Sequence, residues 1–129
     1  MTARAPGEVA TQQALPLVTL AVDGAIAEIA LNHGPLNLVV KDMLRALNAA
    51  LIDAAARPDV RCLILHGGDA RAFCAGSDIK EFAHLRRDAS EHKILIEDMV
   101  LPRLARMPMP TIAALDGPAL GGGLEPALA

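Results

Sequence analysis

Two glycine-bearing loops, each launched by an apolar stretch and each opening a helix-forming segment, constrain this chain more than any other feature. The first is Phe73-Cys74-Ala75-Gly76-Ser77-Asp78-Ile79 and the second is Gly121-Gly122-Gly123-Leu124-Glu125. A strand-to-helix turn of this kind presents bare backbone N–H groups where a developing negative charge is stabilised. Two such donors converging on one oxygen would form an oxyanion hole, with Glu125 beside it as an acid or base. That combination points to chemistry on a carbonyl whose oxygen gains negative charge.

Composition supports a layered fold. The length of 129 residues fits one domain, and 53% of residues are hydrophobic, yet there are two Phe and no Trp or Tyr. The core must therefore come from Leu, Ile, Val, Met and many alanines, whose small size suits close helix–strand packing. A formal net charge of -3 with no basic stripe excludes nucleic acid as a partner, and Arg86-Arg87 reads as solvated helix surface. No apolar stretch approaches the roughly 20 residues needed to span a bilayer, so no membrane is expected. Cys62 and Cys74 do not make a disulfide framework, which fits a reducing, cytoplasmic setting. Cys62 reads as a small core residue; a catalytic thiol at Cys74 is the weaker reading. Residues 1–14 read as a flexible leader and residues 15–129 as the folded part.

The apolar pattern gives the order strand, strand, helix, strand, helix, helix, strand, helix. Leu17–Val22 and Ile26–Leu31 flank Asp23-Gly24, a hairpin signal. Asn37 is expected to cap a helix over Val39–Ala56, buried through Val40, Met43, Leu44, Leu47, Leu51 and Ile52 and ended by Pro58. Val60–Leu65 is a buried parallel strand. Asp78 and Glu81 have the spacing of a capping box for a short helix reaching about Arg87. Ser90 is expected to cap another, with Ile94, Leu95, Met99 and Leu104 on its buried side and Pro102 kinking or splitting it. Thr111–Leu115 is the next strand, and Gly121 opens the last helix. The fold class is α/β.

Other glycine-motif chemistries fail on detail. Gly117–Gly123 lacks the Lys-Ser/Thr of a phosphate loop, and a dinucleotide fingerprint would need Gly or Ala where Pro126 stands. Ser77 lacks the G-x-S-x-G nucleophile elbow. His33, His66, His84 and His92 show no metal-ligand spacing, so no metal is expected.

The segments Ala72–Glu81 and Pro110–Glu125, at this separation, resemble the enoyl-CoA hydratase/isomerase (crotonase) family, and the resemblance extends over nearly everything from Leu17 to Ala129. It implies a spiral of ββα units and an acyl-CoA thioester as substrate, with no cofactor apart from the coenzyme A of that substrate. Ser77 matches the position whose N–H is the first enolate donor, and Gly122 the second. Glu125 matches the first of two glutamates that hydratases use on water and the double bond. Leu36, Asn37 and Leu38, with Ala75, Gly76, Asp78, Ile79, Lys80 and Gly121, match the region that holds the pantetheine and adenine. A homo-oligomer, trimer or hexamer, is implied for the complete family protein.

Two departures stand out. The resemblance puts the second glutamate, and the helices that close the site and build the oligomer, beyond Ala129. Pro126 stands where the family has an apolar residue such as Leu, which is tolerable only in a helix's first turn. Hydration of a 2-enoyl-CoA is the leading reading. Bond migration by an isomerase, or a catalytically incompetent piece that needs a partner chain, are the alternatives.

Overall fold

A computed structural model describes residues 16–84 and 87–129. The expected leader, residues 1–14, lies outside the described residues, as does Arg86. Four strands form one sheet in the order β1-β2-β3-β4: β1 Val18–Asp23, β2 Ile26–Leu31, β3 Cys62–His66 and β4 Thr111–Ala114. Helix α1 (Lys41–Ala55) crosses from β2 to β3, α2 (Ile79–His84) and α3 (Arg87–Ala105) from β3 to β4, and a 3-10 turn (Gly121–Gly123) leads into α4 (Leu124–Leu128). The first pair is antiparallel and the other two are parallel, so the α/β reading holds.

The hairpin turns one residue later than expected. Asp23 pairs with Ile26, which leaves Gly24-Ala25 as the two-residue loop. Gly24 has φ 58° and Ala25 is not left-handed, the pattern of a turn that wants glycine at its first central position.

Period-two alternation sets the core. Ala27, Ile29 and Leu31 of β2 lie buried on one face, with Leu63 and Leu65 of β3 directly opposite Ala27 and Ile29. Met43, Leu44, Leu47, Leu51 and Ala54 of α1, at helical spacing, join them in the same core. Ile52, expected on that face, is 46% exposed, and Ala54 takes the buried place. Cys62 is only partly buried because its side chain falls on the other face of the alternation.

Helix α3 departs most from the hydropathy pattern. It begins at Arg87, so Ser90 lies inside it rather than capping it, and it continues through Pro102 without splitting. Ile94, Leu95 and Met99 are 52%, 64% and 46% exposed, whereas Lys93, Val100 and Leu104 face inward. The spacing 93, 100, 104 is a true helical stripe, but its first member is a lysine that hydropathy assigns to solvent.

Asn37 is, with Lys93, a buried polar residue among the described residues, at 0% exposure. It does not cap α1; the residue before that helix is Val40, which makes no side-chain cap bond. Instead Asn37 adopts φ 47°, a left-handed conformation that asparagine tolerates better than most residues. Its Nδ2 donates to the carbonyls of Gly67 (2.9 Å), Ala72 (3.1 Å) and Phe73 (3.1 Å), while its Oδ1 accepts the His33 N–H (2.8 Å).

Removing that side chain strands several buried partners at once. Asn37→Gly, which keeps the left-handed backbone, should lower stability by on the order of 3 kcal/mol. Asn37→Asp should cost more, because it aims a carboxylate at three carbonyl oxygens. The exposed Asn32→Ala should stay within about 1 kcal/mol of the parent. Urea unfolding of the three variants checks the order, and equal losses at positions 32 and 37 would refute the account.

Candidate functional site

Asn37 sets up the site by clamping the segment before α1 against the loop after β3. Three extended segments then run side by side. The Ala75 N–H donates to the Leu36 carbonyl (3.0 Å), the Val39 N–H to Gly76 (2.8 Å) and the Asp78 N–H to Val39 (3.0 Å). On the other side the Cys74 N–H donates to Pro118 (3.2 Å) and the Leu120 N–H to Cys74 (3.1 Å). Residues 74–78 are therefore the middle member, with residues 36–39 on one flank and 118–120 on the other.

This arrangement fixes the direction of the Ser77 N–H. The Gly76 carbonyl and the Ser77 N–H belong to one trans peptide plane and point opposite ways. Since the Gly76 oxygen accepts from Val39, the Ser77 N–H points away from Val39, towards the flank that carries the second glycine loop. Neither the Ser77 nor the Gly122 N–H donates to a backbone carbonyl among the described residues.

The two loops touch through their glycines. A methyl group placed on Gly122 would stand 3.3 Å from the Ser77 Oγ and 3.8 Å from the Ser77 nitrogen, and one on Gly76 would stand 3.9 Å from the Gly122 nitrogen. At Gly123 any Cβ would collide with the Cys74 carbonyl, so only glycine admits this approach. Gly76 itself sits at φ 113°, closed to other residues without strain. Gly121 (φ 52°) turns the chain into the 3-10 segment.

Helix α4 begins at Leu124, which places Pro126 in its first turn, where a missing N–H costs nothing. Glu125 is exposed and is the second residue after the glycine turn. The other sequence-selected residues divide. Ala75, Gly76, Ser77, Gly121 and Gly122 converge. Leu36 and Leu38 flank them, with the Leu38 carbonyl 2.7 Å from His33 Nδ1. The Asn37 side chain is committed to the interior, so its amide is closed to a ligand. Ile79 and Lys80 are exposed at the start of α2, where Asp78 Oδ1 accepts the Lys80 N–H (2.9 Å) and caps that helix as expected.

The capping box is completed differently. Glu81 does not return to Asp78, whose N–H is taken by Val39; its carboxylate accepts the Lys41 N–H (2.9 and 3.3 Å) and so caps α1 instead. Cys74 is fully buried, and that burial pushes its thiol up, with a hydrogen bond from Gly76 and the charge of Lys93 opposing. The thiol therefore stays protonated and serves as packing. Among the described residues no group of His, Cys, Asp or Glu is arranged to hold a metal.

Two charged residues of α3 escaped the sequence reading, Lys93 and Glu97. Burial raises the Glu97 carboxyl above the usual range; Lys93 opposes this, while Glu125 and Asp98 add to it. Glu97 thus lies within the electrostatic reach of Glu125. A raised native value means that the fold binds this proton more tightly than the unfolded chain. Stability then falls as pH rises from the ordinary carboxylate range through Glu97's raised value, and stays lower above it. Glu97→Gln should raise the thermal midpoint at about pH 7 and give little gain at about pH 4. Melting curves at both pH values decide this, and a gain independent of pH would contradict it.

Known proteins resemble this chain in sequence and in fold. A sequence model of the enoyl-CoA hydratase/isomerase family matches residues 26–125. A probable enoyl-CoA hydratase of Bacillus subtilis is 38% identical over 114 residues, covering 87% of this chain and 43% of that protein. The mitochondrial methylglutaconyl-CoA hydratase of Mus musculus is 39% identical over 93 residues, 72% of this chain and 30% of that protein. Among solved structures, an enoyl-CoA hydratase/carnithine racemase from Magnetospirillum magneticum superposes with a TM-score of 0.81 at 35% identity, over 86% of this chain and 43% of that one. An enoyl-CoA hydratase from Geobacillus kaustophilus gives 0.83 at 31%, over 87% and 42%. The chain thus spans less than half the length of these relatives. With that span matched in sequence and in fold, the chain belongs to the enoyl-CoA hydratase/isomerase family.

Proposed function

We propose that this chain binds an acyl-CoA thioester and holds its carbonyl oxygen, as an enolate, between the N–H groups of Ser77 and Gly122. The observation that carries this reading is the contact of Gly122 with Ser77, which brings two backbone donors from separate loops to one place. Each donor of this kind supplies about 2.7–4 kcal/mol of transition-state stabilisation.

Hydration is the leading chemistry. Glu125 takes a proton from water, the hydroxyl adds to the β-carbon of a 2-enoyl-CoA, and the electron pair moves onto the thioester oxygen. Protonation of the α-carbon then gives the 3-hydroxyacyl-CoA. The Bacillus and mouse relatives named above bear hydratase names, which supports this choice. Isomerisation is the second reading, with Glu125, beside the two glycine turns, as its one acting carboxylate. One carboxylate can remove the α-proton of a 3-enoyl-CoA and return it at the γ-carbon. Coenzyme A enters only as part of the substrate. Within the same reading the protein works in the reducing cytoplasm, where Cys62 and Cys74 stay as free thiols, and as a trimer or hexamer. Among the described residues no helix is long and apolar enough to cross a membrane.

Calorimetric titration with acetoacetyl-CoA, whose enolate resembles the intermediate, tests the site. The parent chain should bind saturably. Gly122→Pro, which lacks the N–H, should weaken binding about 100-fold or more, whereas Gly122→Ala should retain most of it. No binding by the parent would sink the oxyanion reading. Incubation with crotonyl-CoA and with a 3-enoyl-CoA then separates hydration from isomerisation. Binding without turnover of either would identify the catalytically incompetent form.

A further inference from the structure

Lys93 is a buried ammonium with no place in the mechanism above. It is 0% exposed, and a charge removed from water persists only where it is paired and hydrogen-bonded. Its Nζ donates to the Val39 carbonyl at 2.9 Å and lies 3.6 Å from Glu81 Oε1. The same Glu81 carboxylate receives the N–H of Lys41 at the start of α1. One side chain of α3 therefore ties together α2, the first turn of α1 and the strand-like segment that precedes it.

The Val39 end of this network bears on the site. The oxygen that Lys93 holds also accepts the N–H of Asp78, and the N–H of Val39 donates to the carbonyl of Gly76. These two bonds fix the peptide planes on either side of Ser77. The first plane carries the Ser77 N–H, and its direction is set only as firmly as Val39 is. Helix α3 reaches the Val39 oxygen across 54 residues of sequence.

We propose that Lys93 is a positioning residue for the Ser77 N–H, acting through Val39 and backed by Glu81. This deepens the oxyanion reading of Ser77 and rests on it. Lys93 touches no reacting atom. It holds the donor in the direction that an enolate requires, and a ligand that develops no enolate gains little from it.

The test has two readouts on the 129-residue chain, with Lys93→Met, Lys93→Arg and Glu81→Gln. Amide hydrogen exchange reads the network without any ligand. In Lys93→Met the Val39 and Asp78 amides should exchange at least about tenfold faster relative to Leu63 and Leu65 of β3. Lys93→Arg should restore most of the protection, and Glu81→Gln should shift it in the same direction as Lys93→Met by a smaller factor. Titration reads the consequence. The preference for acetoacetyl-CoA over butyryl-CoA should fall about tenfold in Lys93→Met while butyryl-CoA affinity holds.

Exchange that rises equally at β3, or not at all, overturns the proposal. So does a local rise that leaves the ligand preference unchanged, since the lysine would then be structural only. If Lys93→Met does not fold, unaltered exchange and preference in Glu81→Gln overturn it instead. A parent chain with no preference for acetoacetyl-CoA defeats the reading of the oxyanion site, while the exchange arm still decides whether Lys93 holds Val39.

Discussion

The site depends on one side chain amide that never reaches it. Asn37 places two N–H hydrogens among three carbonyl oxygens, so one hydrogen is shared, and its own oxygen takes the His33 N–H. Those carbonyls belong to Gly67, Ala72 and Phe73; the last two are buried outside the regular strands, while the Gly67 oxygen also accepts the Ala70 N–H. By satisfying them Asn37 joins two chain segments some 30 to 36 residues apart. The ladder from Leu36 to Asp78 then forms beside that clamp, and the direction of the Ser77 N–H follows from the ladder. A cost of one left-handed residue is repaid by four hydrogen bonds in a low-dielectric interior, where each matters more than at the surface.

How far the sequence discloses this structure varies with the range of the interaction. The hairpin, the buried face of α1 and the glycine turns were legible because each depends on spacing within a dozen residues. Asn37 looked like a helix cap, since an asparagine shortly before an amphipathic run has that local meaning, and its real partners are far along the chain. The face of α3 was misjudged for the same reason. Hydropathy selected Ile94, Leu95 and Met99, but the interior on that side holds two specific acceptors, the Val39 carbonyl and the Glu81 carboxylate. A lysine with such partners can be buried where an isoleucine would leave them unsatisfied. Nothing in the local pattern around residue 93 announces acceptors contributed by residues 39 and 81.

The glycines of the second loop carry different constraints although they are adjacent in sequence. Gly121 is needed for its backbone angle and has open space where a side chain would stand. Gly123 is needed for space alone, since the Cys74 carbonyl occupies the position of any Cβ. Gly122 lies between these cases. A methyl group there meets the Ser77 hydroxyl at 3.3 Å, a contact that a small shift relieves. The run of three is therefore one turn residue, one residue at the site and one packing residue. That is why the motif reads as a unit in sequence, while each position fails for its own reason when altered.

Because the two candidate donors are backbone groups, they do not distinguish one reaction on a thioester from another. On the proposed reading they favour negative charge on the carbonyl oxygen, however that charge arises. Selectivity between adding water and moving a double bond must lie in groups that handle protons, and these are side chains. Glu125 is exposed at the start of α4, and Glu97 on α3 lies close enough to feel its charge. Partial burial raises the Glu97 carboxyl, Lys93 opposes this, and the charges of Glu125 and Asp98 add to it. On the enolate reading proposed above, the choice between the two reactions rests on where these carboxyl groups stand relative to the acyl chain, more than on the glycine turns.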